Sequence, residues 1–279
     1  MLKIALKGFT NDAATDEFCD HKVWKFPCGE VGAQLTTELL YKLASPKLLE
    51  IGIKVEFTGN DDLFALALLV DAIRAVKPVM PISLWIPYFP YARQDRRVNP
   101  GDAHALKVVC KFINQMNFKY VRVDDAHSSV LEALLENMVH RPQEKCASNL
   151  PVFDVLLAPD AGAEKKIFKH NQVAAGTEVI CATKERNSLG KIVKTFLPFG
   201  GKLTGKTVCI VDDICDGGAT FLELGKVARE FEPAELCLYV THGMFTNPEK
   251  FDELYNLFDR IFVYNLCNMK YAGYVEEIQ

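Results

Sequence analysis

The residues with the clearest capacity for chemistry lie in the stretch 208–220, which runs from an apolar segment through two carboxylates to a glycine turn. The apolar segment 208–211 is typical of a buried parallel strand, and Asp212 and Asp213 follow it directly. Two adjacent carboxylates there can reach two neighbouring ribose hydroxyls, and the glycines at 217–218 let a ligand approach the backbone closely. This pattern predicts a sugar-phosphate site, and the alternative is an ordinary strand-turn-helix corner that is acidic.

A helix is predicted to begin at Thr220, because its apolar residues are spaced as on one helical face. The first amides of a helix lack partners within the helix, so they can bind a phosphate held by the preceding glycine turn.

A second cluster of candidate residues is the loop 87–97, which follows a predicted strand at 82–86. It combines aromatic rings and prolines with three arginines in five positions. Guanidinium groups bind phosphate oxygens in pairs, and the amide of Gln94 offers both a donor and an acceptor to a base edge. The loop therefore predicts a nucleotide contact through Arg93 and Gln94, and a solvated basic loop is the alternative.

Two further polar residues follow predicted strands, where ligands of open α/β sheets bind. His127 comes after the strand 120–123, where it could contact a metal or a phosphate with its ring oriented by Asp124 or Asp125; a structural histidine is the alternative. Asp160 comes after the strand 155–158, where it could hold magnesium or cap the next helix.

Two cations lie at the base of a glycine- and lysine-rich arm. Lys184 and Arg186 could stabilise charge that develops during phosphoryl transfer, whereas a solvated basic loop is the plain alternative. Phe26 and Glu30 flank a Pro-Cys-Gly turn, where the ring and the carboxylate could clamp an adenine; an ordinary turn is the alternative.

Composition limits the class of protein. The chain has 279 residues, a formal net charge of -4 and nine scattered cysteines without a Cys-x-x-Cys pair. We expect reduced thiols, a cytoplasmic protein, no nucleic-acid partner and no membrane segment. Strands and helices alternate on both sides of the segment 140–151, which loses apolar periodicity and predicts the connection between two open α/β domains.

The segments 86–97 and 208–220 together resemble the ribose-phosphate diphosphokinases, also called phosphoribosyl diphosphate synthetases. The resemblance implies two type I phosphoribosyltransferase-like domains, at 1–145 and 146–279, each an open, largely parallel sheet flanked by helices. It also implies Mg²⁺ as cofactor, ATP and ribose 5-phosphate as substrates, and a homo-oligomer.

The same resemblance implies roles for particular residues. Lys184 and Arg186 would be catalytic. The ATP contacts would be Phe26, Glu30, Arg93, Gln94 and His127, with Phe26 and Glu30 supplied by a neighbouring subunit. The metal contacts would be His127 and Asp160, and the ribose 5-phosphate contacts would be Asp212, Asp213, Asp216, Gly217, Gly218, Ala219 and Thr220.

The chain departs from the family pattern in places. Cys28 stands where the adenine-framing motif has aspartate, and Gly217 and Ala219 alter the phosphate loop. Residues 40–50 lack the stretch around the allosteric site of regulated members, which predicts weak or absent activation by phosphate and regulation by ADP. A type I phosphoribosyltransferase and a non-catalytic regulatory homologue remain alternative functions.

Overall fold

The computed structural model describes residues 2–8, 17–186, 192–198 and 200–278; for 2–8, 17–19, 184–186 and 192–195 the description covers the backbone. The chain divides into unit 1, Met1–Arg141, and unit 2, Pro142–Gln279. Within the described part of the chain, no helix is long and apolar enough to span a membrane.

Unit 1 contains a six-stranded sheet with the strand order β2-β1-β5-β6-β7-β8. Its strands are β1 (Leu2–Gly8), β2 (Glu17–Cys19), β5 (Leu48–Val55), β6 (Ile82–Trp85), β7 (Val121–Asp124) and β8 (Met138–Arg141). β5 to β8 run parallel, whereas β1 is antiparallel to both of its neighbours. A separate antiparallel hairpin is formed by β3 (His21–Lys25) and β4 (Val31–Leu35).

The helices of unit 1 follow its strands, as expected for parallel strands that need crossover connections. They are α1 (Thr37–Ala44), α2 (Asn60–Val76), α3 (Ala105–Asn114) and α4 (Val130–Leu134). Ile51, Ile53 and Leu84 from the sheet share one buried cluster with Leu66 and Leu69 of α2. Burial of this apolar surface fixes the sheet, so its carboxyl edge can hold the loops that follow the strands.

Unit 2 contains a parallel six-stranded sheet with the order β10-β9-β13-β14-β15-β16. Its strands are β9 (Val155–Ala158), β10 (Glu178–Cys181), β13 (Thr207–Cys215), β14 (Glu235–Gly243), β15 (Arg260–Leu266) and β16 (Glu276–Glu277). Its helices are α5 (Gln143–Cys146), α6 (Ala161–Ile167), α7 (Asn171–Ala174), α8 (Ala219–Arg229) and α9 (Pro248–Leu257), with 3₁₀ turns at Gly200–Leu203 and Met269–Tyr271. A further antiparallel hairpin pairs β11 (Thr183–Arg186) with β12 (Ile192–Phe196).

Two buried clusters cover the two faces of the sheet in unit 2. Val208 and Ile210 of β13 belong to the cluster that includes residues of α8 and α9. Cys209 and Val211 belong to the other cluster, with residues of α6. This alternation is the side-chain pattern of a strand buried on both faces.

Several boundaries differ from those that the sequence predicts. The segment 140–151 contains the end of β8 and the short helix α5, so it is not wholly loop. β13 continues four residues beyond the predicted strand 208–211, and α8 begins at Ala219, one residue before the predicted Thr220.

The helix α3 begins at Ala105, after a loop that the Asp102 carboxylate stabilises. Its Oδ2 accepts hydrogen bonds from the backbone N–H groups of Val98 (3.1 Å) and Asn99 (2.7 Å). An aspartate that bonds to nearby backbone in this way favours a turn over a helix interior.

Candidate active site

Phe26 and Glu30 lie at the tip of the β3–β4 hairpin. The backbone N–H of Phe26 donates to the carbonyl of Glu30 over 2.7 Å, and Gly29, at φ 97°, closes the turn through a bond from its N–H to the Phe26 carbonyl. Phe26 is 45% exposed, and its ring lies 5.8 Å from that of Trp24 in an edge-on arrangement. The Cys28 thiol donates to Glu30 Oε2 over 3.5 Å. The tip therefore presents a ring and a carboxylate together at the surface of unit 1.

Arg93 and Gln94 lie in the loop that follows β6, and both are exposed. They line a cavity of about 570 Å³ together with Phe57, Gly59, Asn60, Tyr88 and Tyr91. Tyr91 has a left-handed backbone, at φ 62°, and its carbonyl accepts a 2.9 Å bond from the N–H of Gln94. A bulky residue with positive φ is uncommon and marks a backbone held by its surroundings, so this loop is fixed immediately before its cationic residues.

His127 lies near the carboxylate of Asp95 in the same unit. The pKa of Asp95 is lowered to about 2, chiefly by hydrogen bonds from the Arg96 guanidinium, with further contributions from Ser128 and His127. Arg96 Nε lies 2.8 Å from Asp95 Oδ1, and Arg96 Nη2 lies 3.0 Å from Oδ2. His127, which follows β7, therefore lies near the arginine loop that follows β6, and the two candidate ATP-binding segments are close together in unit 1.

Asp124, which the sequence offered as a residue to orient His127, is fully buried at the end of β7. Its Oδ1 accepts from Arg122 Nε (3.0 Å) and its Oδ2 from Trp85 Nε1 (2.8 Å). The guanidinium of Arg122 also lies over the Trp85 ring, 4.3 Å from its centroid. These contacts give Asp124 a role in joining β6 to β7.

In unit 2, Asp212 and Asp213 are part of β13 rather than of the turn after it. Asp213 is buried, and Lys166 Nζ of α6 lies 2.9 Å from its Oδ2. Asp213 therefore lies on the same side of the sheet as α6. Lys166 supplies a positive charge at the position where the sequence predicts the sugar.

The carboxyl group of Asp212 has a pKa well above its ordinary value. Burial is the main cause, and the negative charges of Asp213 and Asp160 add to it, whereas Lys166 opposes it. The Oδ1 of Asp212 also accepts a 2.8 Å bond from the backbone N–H of Asp213. A carboxyl group in this setting holds a proton more readily than an exposed aspartate does.

Asp160 is the N-cap of α6. Its Oδ1 accepts from the backbone N–H groups of Gly162 (3.0 Å) and Ala163 (3.1 Å), which is the capping role that the sequence left as an alternative. Among the described residues no group of three or more His, Cys, Asp or Glu side chains could hold a metal ion. Because magnesium is commonly held by one or two carboxylates together with water and substrate phosphates, Asp160 remains compatible with a metal that arrives with its substrate.

The predicted phosphate loop forms the turn between β13 and α8. Gly218 is the N-cap of α8 with φ 82°, and a Cβ atom there would lie 2.9 Å from Leu254 Cδ1. Gly217 has no neighbouring atom within 4 Å of where its Cβ would lie. Because α8 begins at Ala219, the N–H groups of Ala219 and Thr220 lie in its first turn, where the sequence predicts a phosphate.

Asp216 is held from the segment that follows β14. Thr246 Oγ1 donates to Asp216 Oδ1 over 2.9 Å, and the Thr246 N–H donates to the Asp216 carbonyl over 3.0 Å. The Cys215 carbonyl accepts from the N–H groups of Met244 and Phe245. This bracing fixes the first half of the turn.

Lys184 and Arg186 lie in β11, which pairs with β12 from Thr183 opposite Phe196 to Arg186 opposite Ile192. Both cations at the base of the arm thus lie in one strand of a hairpin. The side chains of Lys184 and Arg186 are outside the description, so their catalytic role stays a prediction.

Comparison with known proteins bears on both units. Residues 16–116 match the family described as the N-terminal domain of ribose phosphate pyrophosphokinase. A ribose-phosphate pyrophosphokinase from Ureaplasma parvum is 29% identical over 201 residues, which are 67% of this chain and 58% of the relative. One from Mycoplasma pneumoniae is 27% identical over 217 residues, 74% of this chain and 65% of the relative. The chain is similar to the ribose-phosphate pyrophosphokinases.

The similarity confirms the resemblance that the arginine loop and the acidic strand predicted. The chain spans less than two thirds of the length of these curated ribose-phosphate pyrophosphokinases. The crystal structure of phosphoribosylpyrophosphate synthetase from Mycobacterium smegmatis has a TM-score of 0.70 and 18% identity, and covers 88% of this chain and 80% of that one. It confirms the predicted α/β fold with parallel sheets flanked by helices.

Sequence reasoning assigned no role to two residues of the unit 2 site, Lys166 and Thr246. The position of Lys166 could be inferred from helical spacing, since it comes three residues after the buried Ala163 on α6. No comparable signal marks Thr246, because its contact with Asp216 depends on two loops that are 30 residues apart.

Proposed function

We propose that this chain is a ribose-phosphate diphosphokinase. It transfers the β,γ-diphosphoryl group of Mg-ATP to the anomeric hydroxyl of ribose 5-phosphate, giving phosphoribosyl diphosphate and AMP. The observation that carries the proposal is the presence in one chain of an arginine-glutamine loop beside a cavity and of an acidic strand that leads into a glycine turn and a helix N-terminus.

Ribose 5-phosphate binds to unit 2 in this proposal. The first amides of α8 hold the 5-phosphate, because they have no partners within the helix and carry the positive end of its dipole. Gly217 and Gly218 bring the backbone close to the phosphate, and the carboxylates of Asp212 and Asp213 accept bonds from the sugar hydroxyls. Thr246 stabilises the turn through Asp216.

ATP binds to unit 1 through Arg93, Gln94 and His127. In the reaction, the anomeric oxygen of the sugar forms a bond to the β-phosphorus, and the bond from that phosphorus to the oxygen bridging it to the α-phosphate breaks. The electron pair of that bond leaves with AMP. The hydroxyl proton passes to a base or to solvent.

Lys184 and Arg186 stabilise the charge that develops on the phosphoryl oxygens. Magnesium, when bound, neutralises phosphate charge, and Asp160 and His127 are the residues that would hold it. Phe26 and Glu30 frame the adenine of a neighbouring subunit, so the active form is a dimer or a larger homo-oligomer. The exposure of the Phe26 ring at the hairpin tip supports this assignment.

The test is to incubate the purified protein with ribose 5-phosphate and Mg-ATP and to separate the nucleotide products by chromatography. The expected result is AMP in step with a diphosphorylated ribose. Unphosphorylated ribose is the matched control. It should give neither product, because it lacks the 5-phosphate through which the glycine turn and the first amides of α8 hold the sugar. Formation of ADP, or no nucleotide product at all, would contradict the proposal.

A further inference from the structure

The cavity of unit 1 is lined by aromatic and amide side chains as well as by Arg93 and Gln94. It lies at the carboxyl edge of the sheet, since Phe57 follows β5 and Tyr88 follows β6. Its volume of about 570 Å³ is within the range of about 300–1,000 Å³ found for small-molecule sites. Open α/β sheets bind ligands at this edge.

The walls of the cavity suit a planar aromatic ligand. The rings of Phe57 and Tyr88 lie 6.5 Å apart and are tilted by 46°. Both are partly buried, so each keeps part of its surface accessible in the cavity that it lines. Aromatic faces bind a nucleobase by stacking, which contributes about 1–3 kcal/mol per base in nucleic-acid complexes.

A hydrogen bond fixes the orientation of one polar group in the cavity, the side-chain amide of Asn60. Tyr91 Oη donates to Asn60 Oδ1 over 2.6 Å. Because the carbonyl end of this amide accepts the tyrosine proton, its NH₂ end is the donor side available to a ligand acceptor. Tyr91 is itself held at φ 62°, so the amide is positioned by a backbone that its surroundings constrain.

We infer that Asn60, positioned by Tyr91 and bordered by Phe57 and Tyr88, binds the adenine ring of ATP within the subunit whose Arg93 and Gln94 bind the same nucleotide. This inference rests on the proposed function for the identity of the nucleotide. It makes Asn60 a base-binding residue and Tyr91 a positioning residue. Adenine suits the site because its ring nitrogens are acceptors for the Asn60 amide, while Gln94 can pair with the neighbouring amino group and nitrogen.

The test measures the binding of two ligands by calorimetry: ATP, which has a base, and inorganic tripolyphosphate, which has none. Asn60→Ala should weaken ATP binding about tenfold, the loss expected for one hydrogen bond of roughly 1.4 kcal/mol, and leave tripolyphosphate binding unchanged. Tyr91→Phe should weaken ATP binding by a smaller factor in the same selective way. Arg93→Ala should weaken both ligands, and Asn256→Ala, an exposed asparagine on α9, should weaken neither.

The selective loss of ATP binding supports the inference. An unchanged ATP affinity in Asn60→Ala, or an equal loss of both ligands, would overturn it. Product formation by the parent protein is measured separately. A parent protein that forms phosphoribosyl diphosphate while Asn60→Ala binds ATP normally refutes the base-binding inference alone. A parent protein that binds ATP through Asn60 but forms no product refutes the proposed reaction alone.

Discussion

Substituting Lys166 by methionine removes the positive charge beside the two strand carboxylates while keeping most of the side-chain volume. Lys166 Nζ is 2.9 Å from Asp213 Oδ2, and its side chain is 24% exposed, against 8% for Asp213. Leaving a buried carboxylate without its partner costs about 3–5 kcal/mol in fully buried pairs. Because Lys166 is partly exposed to water, we expect the free energy of unfolding to fall by less, about 1–3 kcal/mol.

The same substitution changes the protonation of the acidic pair. The pKa of Asp212 is already raised by burial and by Asp213, and Lys166 holds it down. Without Lys166 this pKa should rise further, because the positive charge that favours the ionised form is gone. An ionised carboxylate accepts hydrogen bonds from ribose hydroxyls more strongly than a protonated one does, so we expect ribose 5-phosphate to bind roughly tenfold more weakly at neutral pH and to regain affinity as the pH rises.

The assay is calorimetric titration with ribose 5-phosphate at neutral pH and at a series of higher pH values, because the raised pKa places the return of the charge on the alkaline side. Lys165→Met is the matched control, because Lys165 is the exposed neighbour on the same helix. Lys166→Arg should keep the parent pH profile, because it keeps the charge. An affinity loss in Lys166→Met that is the same at every pH would show that the lysine acts only through packing, and an unchanged affinity would refute the reasoning altogether.

Three other predictions concern the catalytic arm, acid stability and the glycine turn. Lys184→Ala should lower turnover by a hundredfold or more while ribose 5-phosphate binding stays nearly intact, as checked by initial rates and calorimetry; equal activity in variant and parent would exclude the role. Hydrogen bonds from Arg96 lower the pKa of Asp95 to about 2, so the ionised side chain adds roughly 1–2 kcal/mol to the free energy of unfolding above pH ~4 and loses this contribution as the pH falls towards 2. The free energy of unfolding of Asp95→Asn should therefore fall less steeply between pH ~4 and 2 than that of the parent, and identical pH dependence would contradict the prediction. Gly218→Ala should lower the free energy of unfolding by about 1–3 kcal/mol in urea titrations, because φ is 82° and a leucine methyl lies 2.9 Å from the new Cβ, whereas Gly217→Ala should not.

The strands and helices on which the candidate site depends could be predicted from apolar patterning. The strand that carries Asp212 and the helix after Gly218 were predicted with small errors at their ends, because buried parallel strands leave long apolar runs. The strand β11 cannot be predicted from apolar patterning, because its sequence is Thr-Lys-Glu-Arg. A short polar strand has no apolar face to mark it.

The contacts within the site depend on information that local sequence does not hold. The bond from Tyr91 to Asn60 joins residues 31 positions apart, and the bond from Thr246 to Asp216 joins residues 30 positions apart. The periodicity of a strand or a helix relates only residues that are close in the sequence. Sequence patterns can therefore identify Arg93 and Gln94 as neighbours but cannot identify distant partners such as Asn60 for Tyr91.

The extension of β13 through Cys215 changes how the acidic pair can recognise a sugar. Successive side chains of a strand point to opposite faces of its sheet, so Asp213 continues the row of Cys209 and Val211 that faces α6, and there it meets Lys166. Asp212 continues the row of Val208 and Ile210 that faces α8 and α9, where burial raises its pKa. The two carboxyl groups therefore have different surroundings, whereas two neighbouring carboxyl groups in a loop could share the same surroundings. A ribose held by the turn before α8 would therefore meet two different acceptors. One is the lysine-paired carboxylate of Asp213 on the face of α6. The other is the carboxyl group of Asp212, whose strength as an acceptor depends on pH because its pKa is raised.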